Sequence, residues 1–504
     1  MSEFSVAPIF TDNCVLQQNK PISVWGTGEN GKRVSAFLDG VTSETIIKNG
    51  EWQIFLPPMK AKNDLELMIK CGEEAVTLYD VAIGEVWLAG GQSNMEFELR
   101  NSTGGREMME SDNPNVRFFY TPKYEYEAPK FEHMLKDAHW ADFSDEWKGA
   151  WSAVGYCFAK HLSETLGVTV GVIGCNWGGT SASAWMREED LRGDRDLSVY
   201  YDEYDKNTAG RTFEEQVGEY EEYLDFRHKW DADCAKLYEE NPQIEWDEVE
   251  KILGPANYPG KVNACNPVRP AGIYHTMLSK VIKYTMAGVI YYQGESDDHL
   301  PKLYYRLFKR LVLRWREDNG DMMLPFIATQ LPMHRYRQDP DYKHWAIIRR
   351  SQRRVADDLP VMGLGIILDQ GQWNDIHPKD KREVGRRLAL QALWLVYGKL
   401  QAKEANPPRI SNVVFTKNGA EVFFDYAETG LVVSGDEIKG FELASNPEEF
   451  VAAGAEIIDG QYIKLTCEEV PNPKYIRYLW TNWGDVTLYG TNGICVEPYS
   501  NEEL

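Results

Sequence analysis

The chain has 504 residues and a formal net charge of −24 at neutral pH. This length exceeds one ordinary domain and predicts roughly two or three, with enough apolar residues for a large core. The acidic charge argues against nucleic acid or an anionic membrane as a partner, because both carry negative charge that the protein would repel. An anionic substrate would be repelled as well, so it would need arginine or lysine near its binding site.

Cysteine usage and the first residues bear on cofactors and location. The eight cysteines are scattered, with no C-x-x-C pair and no Cys/His spacing typical of a metal site. We therefore expect mostly buried thiols, no metal and no cofactor. The start, MSEFSVAPIFTDN, lacks the basic and apolar regions of a signal peptide, and no run of about 18 apolar residues predicts a membrane span. The chain as written is expected to be cytoplasmic.

Residues 1–80 form short apolar runs separated by Gly, Asn and Pro at about ten-residue spacing, which predicts an N-terminal β-sandwich. The segment Gly26–Gly31 matches G-x-G-x-x-G literally. A dinucleotide-binding fingerprint requires a helix next, whereas KRVSAFLDG is typical of a strand. We therefore interpret these glycines as a hairpin turn.

The segment Gly84–Met95, GEVWLAGGQSNM, is the first along the chain to contain a candidate catalytic residue. The β-prone run Val86–Ala89 stops at two glycines, and Gln92, Ser93 and Asn94 follow. This pattern predicts a buried strand that ends in a sharp turn carrying a serine. Sites in open α/β sheets form outside the carboxyl ends of the strands, so Ser93 is a candidate nucleophile if a histidine and a carboxylate reach it. The alternative is a serine in an ordinary turn.

Between residue 81 and about residue 405, apolar strands alternate with helical runs, which predicts a parallel sheet covered on both faces. The helical runs are 150–166, 271–285, 301–318, 345–357 and 378–399. Leu303, Leu307, Leu311 and Trp315 recur every four residues, as on one face of a helix.

A charged segment, 187–255, interrupts this alternation and predicts a helical insertion, one arm of a helical hairpin. Such a segment is most often a solvated surface, although its aromatic residues would also suit the wall of a sugar groove. Because the candidate catalytic residues lie outside it, we expect the insertion to shape specificity rather than chemistry.

Two further turns follow predicted strands. Gly178 and Gly179 come after VTVGVIG, where glycine lets the backbone approach a substrate closely. Gln293 comes after AGVIYY, and its side-chain amide is able to donate to an oxyanion without adding charge. Glu295 lies beside it as an orienting group, a competing carboxylate or a simple surface residue.

The segment Leu368–Arg387 contains Asp375 and His377, two residues apart, before Pro378 and a helical run. In such a loop the carboxylate is able to hold the imidazole while the other ring nitrogen faces a serine. The alternative for Asp375 is a role as a helix cap only, and Asp369 is the alternative orienting carboxylate. Of the nine histidines, His299 is the main competitor of His377.

Asn406–Pro408 is typical of a linker, and the chain then returns to strands. The run VVFTKNGAEVFF predicts a hairpin around Asn418 and Gly419. The sequence thus predicts an N-terminal β-sandwich at 1–80, a catalytic α/β domain at 81–405 with its insertion, and a C-terminal β-sandwich at 409–504.

The motifs together resemble the sialate O-acetylesterase family, within the wider SGNH hydrolase class. The resemblance covers nearly the whole chain, and five segments carry it in the right order: GQSNM at Gly91–Met95, GCNWGGTSASAWM at Gly174–Met186, GVIYYQGESD at Gly288–Asp297, NDIHPKDK at Asn374–Lys381, and VPNPKYIRYLWTNW at Val470–Trp483. Met95 replaces the final glycine of G-x-S-x-G, which points away from the α/β-hydrolase fold.

The resemblance implies an SGNH-type parallel sheet flanked by helices and a triad of Ser93, Asp375 and His377. It favours Gly179 over Gly178 as the second oxyanion donor, after the N–H of Ser93. The SGNH class has an asparagine where this chain has QGES, so the third donor stays open between Gln293 and its neighbours. Gln92 and Glu295 complete the predicted oxyanion- and substrate-binding set, and three tryptophans beside these motifs suit either a pocket wall or the core: Trp177, Trp185 and Trp373.

We therefore expect a serine esterase that releases acetate from an O-acetylated carbohydrate, with O-acetyl sialic acid as the substrate that the family suggests. Relatives with the same serine motif act on acetylated plant polysaccharides, so xylan, mannan or xyloglucan is the alternative. A non-catalytic glycan-binding protein is the alternative of another class. The sequence does not predict an oligomeric state.

Overall fold

The structure is a computed structural model that describes residues 4–241 and 244–502. It is a mixed α/β protein with one 11-stranded sheet and several smaller sheets. The strand Glu74–Gly91 is the central strand of the large sheet and spans the predicted domain limit at residue 80. Its first half pairs antiparallel with Lys62–Cys71, and its second half pairs parallel with strands on both sides.

The second half of this strand lies in a parallel array because its residues are apolar without alternation and are buried on both faces. Across the sheet the strands follow the order Trp140–Ala141, Val116–Tyr120, Val170–Asn176, Glu74–Gly91, Gly288–Tyr292, Phe326–Thr329 and Met362–Gly365. Only the first of these pairings is antiparallel. The other strands of this sheet are Val15–Gln17, Arg33–Leu38, Val41–Ile46 and Lys62–Cys71.

Helices cover both faces of the parallel array. Trp87 contacts Phe158 edge to face, whereas Gly90, three residues further on and therefore on the opposite face, lies against Trp315. Leu311 and Trp315 are fully buried, as their four-residue spacing predicts. The helices are Ser93–Glu96, Gly105–Glu110, Glu132–Asp137, Ala153–Leu166, Glu188–Arg192, Asp202–Thr208, Phe213–Glu240, Trp246–Leu253, Ser279–Val281, Tyr304–Asn319, His344–Asp358, Arg382–Leu395 and Ala402–Ala405.

The predicted N-terminal strands are present, but the turn after Thr27 corrects one expectation. The strands Ser5–Val6, Ile22–Thr27 and Glu51–Leu56 form a separate three-stranded sheet. The strand after the glycines, Arg33–Leu38, pairs instead with its neighbours in the large sheet. The Gly26–Gly31 segment therefore connects two sheets and is not a hairpin, because its flanking strands do not pair with each other.

The insertion is helical, as predicted, and its longest helix is Phe213–Glu240. Thr212 caps this helix and Glu215 returns the contact, which is a complete capping box. Trp230 and Cys234 form a small apolar cluster with Val249 of the next helix. No helix in the described part of the chain is both long and apolar enough to cross a membrane.

The C-terminal region consists of short strands in three sheets. The hairpin predicted at Asn418 and Gly419 is confirmed, since Arg409–Thr416 pairs antiparallel with Gly419–Asp425. The remaining strands are Leu431–Val433, Phe441–Ala444, Val451–Ala452, Gly454–Ile458, Tyr462–Thr466, Tyr475–Tyr478, Leu488–Gly490 and Tyr499–Ser500. The exact domain limits stay predictions. All eight cysteines are buried free thiols, in line with the expectation from their scatter.

Candidate active site

Ser93 lies immediately after the carboxyl end of the central strand. That strand ends at Gly91, and a short helix begins at Ser93. Gly91 has a φ of 131°, and a Cβ at this position would come within 2.1 Å of the carbonyl oxygen of Tyr292. Only glycine fits this crossing, which explains why the apolar strand ends here. The N–H of Gln92 donates to the same carbonyl at 3.0 Å and fixes the turn.

His377 reaches Ser93 across the sheet. Its Nε2 lies 2.8 Å from the Oγ of Ser93, although the two residues are 284 positions apart in the sequence. This is the hydrogen-bond distance that a nucleophile and its general base require. The competitor His299 instead packs edge to face against Tyr200. The structure therefore brings together the serine and the histidine that the motifs predicted.

Asp375 contacts His377 through the backbone. Its Oδ1 accepts the main-chain N–H of His377 at 2.8 Å, and among the described residues no hydrogen bond joins Asp375 to the imidazole ring. The carboxylate thus shapes the loop and acts on the ring through its charge. The alternative, Asp369, is bound by both terminal nitrogens of Arg387 at 2.6 and 2.8 Å. Asp369 is therefore part of a structural ion pair.

Burial keeps His377 neutral. Desolvation, followed by the positive charge of Lys381, lowers the pKa of His377 to about 4, while Asp375 and Glu96 oppose this shift. The neutral imidazole is the form that accepts a proton from a serine hydroxyl. At neutral pH the ring is consequently in the state that a general base needs.

The turn beside Ser93 contains two glycines, whose N–H groups differ in their partners among the described residues. The N–H of Gly178 donates to Oε2 of Glu96 at 2.5 Å and is therefore occupied. Gly179 has a φ of 70°, and its N–H has no hydrogen-bond partner within the described residues. Of the two glycines, Gly179 is the one whose N–H is available to an oxyanion. Its role as a donor stays a prediction.

Gln293 is fully buried and its amide is already committed. Nε2 donates to Oδ2 of Asp297 at 2.5 Å and to the carbonyl of Thr180 at 3.3 Å. An amide group has two hydrogens, so neither is left for an oxyanion. The arrangement argues against Gln293 as the third donor and makes it a support for the loop that carries Gly179.

Asp297 fixes the other end of that loop. Its carboxylate accepts the hydroxyl of Ser181 at 2.6 Å and the backbone N–H of Ala182 at 2.9 Å, in addition to the amide of Gln293. No pattern in the sequence predicts that this aspartate is buried. It joins the turns that follow Val170–Asn176 and Gly288–Tyr292, the strands on either side of the central strand Glu74–Gly91.

Gln92 and Glu295 also contact the protein interior. Oε1 of Gln92 accepts the N–H of Ser296 at 3.2 Å, so this side chain ties the serine turn to the next strand's turn. Oε1 of Glu295 accepts the side-chain amide of Asn94 at 2.7 Å, and its Oε2 is buried with no hydrogen-bond partner among the described residues. The contacts of Gln92 and Glu295 therefore hold the two residues on either side of Ser93 in this structure. Their predicted contact with substrate stays a prediction.

The insertion and the segment after it contact the loops that carry His377 and Gly178. Oε2 of Glu245 accepts the side-chain amide of Asn374 at 3.2 Å and lies 2.6 Å from Arg337. The hydroxyl of Tyr258 donates to the carbonyl of Gly178 at 2.6 Å. The insertion is thus attached to the loop that carries His377, which the sequence did not predict.

The three tryptophans divide between the core and the surface. Trp185 is fully buried and packs against Trp315, so it belongs to the core. Trp177 and Trp373 are partly exposed. A cation lies over each ring: Lys123 over Trp177 at 5.8 Å and Arg335 over Trp373 at 4.8 Å.

Comparison with known proteins identifies related esterases. A family model for carbohydrate esterases, described as sialic acid-specific acetylesterase, matches residues 267–393, a range that includes His377 but not Ser93. The sialate O-acetylesterase of Mus musculus is 24% identical, with coverage of 94% of this chain and 89% of that protein. The human sialate O-acetylesterase is 23% identical, with coverage of 95% and 88%.

A crystal structure described as a novel carbohydrate acetylesterase from Xanthomonas citri is similar over the whole fold. It is 26% identical, covers 99% of this chain and 100% of its own, and has a TM-score of 0.78. The family resemblance predicted from the motifs is confirmed, and the chain is a carboxylic ester hydrolase related to the sialate O-acetylesterases.

Proposed function

We propose that this protein is a serine esterase that releases acetate from an O-acetylated carbohydrate through an acyl-enzyme, with O-acetyl sialic acid as the first substrate to test. The distance of 2.8 Å between Oγ of Ser93 and Nε2 of His377 carries this proposal. The proposal includes an SGNH-type arrangement of the parallel strands, because the candidate residues follow their carboxyl ends.

In the first half of the reaction, Oγ of Ser93 attacks the acetyl carbonyl carbon while His377 takes the hydroxyl proton. The negative charge that develops on the carbonyl oxygen would be stabilised by the N–H groups of Ser93 and Gly179. The bond to the sugar oxygen then breaks, and His377 returns the proton to that oxygen. The products are the deacetylated sugar and acetyl-Ser93.

In the second half, His377 takes a proton from water, and the resulting hydroxide equivalent attacks acetyl-Ser93. Collapse of this intermediate releases acetic acid, and His377 returns the proton to Oγ of Ser93. Asp375 supports both halves by holding the His377 loop and by offsetting the charge on the imidazolium.

The substrate proposal rests on relatives named as sialate O-acetylesterases. The net charge of −24 favours the second candidate, a neutral acetylated polysaccharide such as xylan, mannan or xyloglucan. Acetate release from a panel of acetylated sialic acids and acetylated oligosaccharides decides between them. A higher kcat/KM on the neutral substrates would reject the sialate assignment.

The mechanism is tested by trapping. Brief mixing with 4-nitrophenyl acetate, followed by acid quench and peptide mass spectrometry, should find one acetyl group on the peptide that contains Ser93. An organophosphonate should label the same peptide. A protein that binds glycans without catalysis would carry neither label, and loss of activity on EDTA dialysis that zinc restores would contradict a metal-free serine mechanism.

A further inference from the structure

Lys381 is a buried cation that contacts Asn94, the residue after the proposed nucleophile Ser93. It is 1% exposed and precedes the helix Arg382–Leu395. Its Nζ donates to Oδ1 of Asn94 at 2.6 Å and lies 5.0 Å from the ring centre of Phe97 and 5.8 Å from that of Tyr292. A buried ammonium is costly unless it is paired, so its position requires a specific reason.

Asn94 connects this lysine to both catalytic segments. It follows Ser93 in the sequence, and its Nδ2 donates to the carbonyl of Ile376, the residue before His377, at 3.0 Å. The same Nδ2 donates to Oε1 of Glu295 at 2.7 Å. The amide oxygen of Asn94 faces the Lys381 donor, and its nitrogen faces two acceptors, so only one orientation of the amide satisfies all three contacts. Lys381 and Glu295 therefore select the orientation in which Asn94 holds the His377 loop.

Charges of both signs act on the imidazole of His377. His377 experiences the positive charge of Lys381 and the influence of His334, against the negative charges of Asp375 and Glu96. Lys381 in turn faces Glu295, Asp375 and Asp380. Burial lowers the pKa of Lys381 to about 7 and raises the pKa of Glu295. Near neutral pH the ammonium is thus one of the groups that disfavour a charged imidazole.

We propose that Lys381 is a positioning residue of the esterase: through Asn94 it locks the Ser93 turn to the His377 loop, and its charge acts directly on the imidazole. This proposal rests on the proposed function, because it assumes that His377 is the general base. It makes Asn94, Lys381 and Glu295 a single unit, in which Glu295 balances the buried charge without contacting the substrate.

The test is the pH profile of kcat/KM on 4-nitrophenyl acetate for Lys381→Met, Lys381→Arg and the control Lys379→Met. Lys379 is exposed on the same loop. Activity falls at low pH as His377 becomes protonated, and removing the positive charge of Lys381 favours that protonation. The acidic limb of Lys381→Met should therefore move to higher pH, by roughly one pH unit. Lys381→Arg should retain the wild-type limb, and Lys379→Met should match wild type throughout.

A folding defect is separated from this effect by the double variant Lys381→Met/Glu295→Gln, which removes both buried charges, with thermal melting as the check. The double variant should show the same displaced acidic limb. A folded Lys381→Met or double variant whose limb coincides with that of Lys379→Met would overturn the proposal. Ser93→Ala, assayed in parallel, keeps the two hypotheses distinct, since normal turnover by that variant rejects the proposed function itself.

Discussion

Glu245 of the helical insertion accepts a hydrogen bond from the side chain of Asn374, three residues before His377, at 3.2 Å. Asn374 has a φ of 58°, a backbone conformation that asparagine tolerates better than most residues. Arg337 pairs with the same carboxylate at 2.6 Å. The insertion therefore contacts the loop that carries His377.

We expect Glu245→Ala to lower kcat on a small acetyl ester by roughly twofold to fivefold, because an exposed polar contact contributes up to about 1 kcal/mol and the loop loses one anchor. Glu239→Ala, an exposed change on the same insertion, is the matched control. Steady-state kinetics on 4-nitrophenyl acetate and on an acetylated glycan measure the effect. Unchanged kcat with a raised KM for the glycan alone would support a purely specificity-related role.

Ser93→Ala should fold normally and lose roughly a thousandfold or more in kcat, since the nucleophile and base act as a unit. Ser144→Ala, at an exposed position, should behave as wild type. Circular dichroism and melting establish that each variant is folded, and acetate release measures turnover. Near-normal turnover by Ser93→Ala would mean that another residue carries the acetyl group.

Asp375→Asn should affect catalysis, whereas Asp369→Asn should affect stability. Asp375 supports the His377 loop, so its change should reduce kcat while the melting temperature stays near that of wild type. Asp369 pairs with the buried Arg387, so its change should destabilise the fold by about 3 kcal/mol, because it weakens the partner of a buried charge. Denaturant unfolding and kcat, measured on both variants, separate the two roles. A stable Asp369→Asn with abolished activity would reverse the assignment.

The sequence was sufficient to predict the pairing of Ser93 with His377, because both follow recognisable local patterns: a strand that ends in glycines, and an Asp-x-His turn before a helix. The sequence was not sufficient to predict the buried residues that hold these two segments together. Lys381 reads as an ordinary surface lysine in a run of charged residues, and only the packing of Phe97 and Tyr292 over it reveals its burial.

Gln293 is a second residue whose contacts the sequence did not predict. Its position after a strand favours a role toward the substrate, yet Asp297, four residues later, takes up its amide. Whether a side chain at such a turn faces the ligand or the protein depends on partners from distant segments, here Thr180. The hairpin predicted at Gly26–Gly31 is wrong for a similar reason, since strand partners are set by tertiary pairing and not by adjacency.

Arg335 provides the test of substrate class. Its guanidinium lies over Trp373, its carbonyl accepts the N–H of Asn374 at 3.0 Å, and its Nε is buried with no hydrogen-bond partner in the part of the chain that the structure describes. Within the described residues it forms no ion pair, so beside the His377 loop it is a cation available to a carboxylate. A sialate substrate needs such a group in a protein of this net charge.

We expect Arg335→Gln to raise KM for an O-acetyl sialic acid roughly tenfold or more, since a hydrogen bond to a charged group contributes about 1.5–3 kcal/mol. KM for a neutral acetylated xylo-oligosaccharide and kcat for 4-nitrophenyl acetate should not change, because neither substrate has a carboxylate. Arg195→Gln, at an exposed position on the insertion, is the control for general charge. Equal losses on the charged and neutral substrates would show that Arg335 acts by packing on Trp373, and that sialate recognition depends on another cation or that the substrate is neutral.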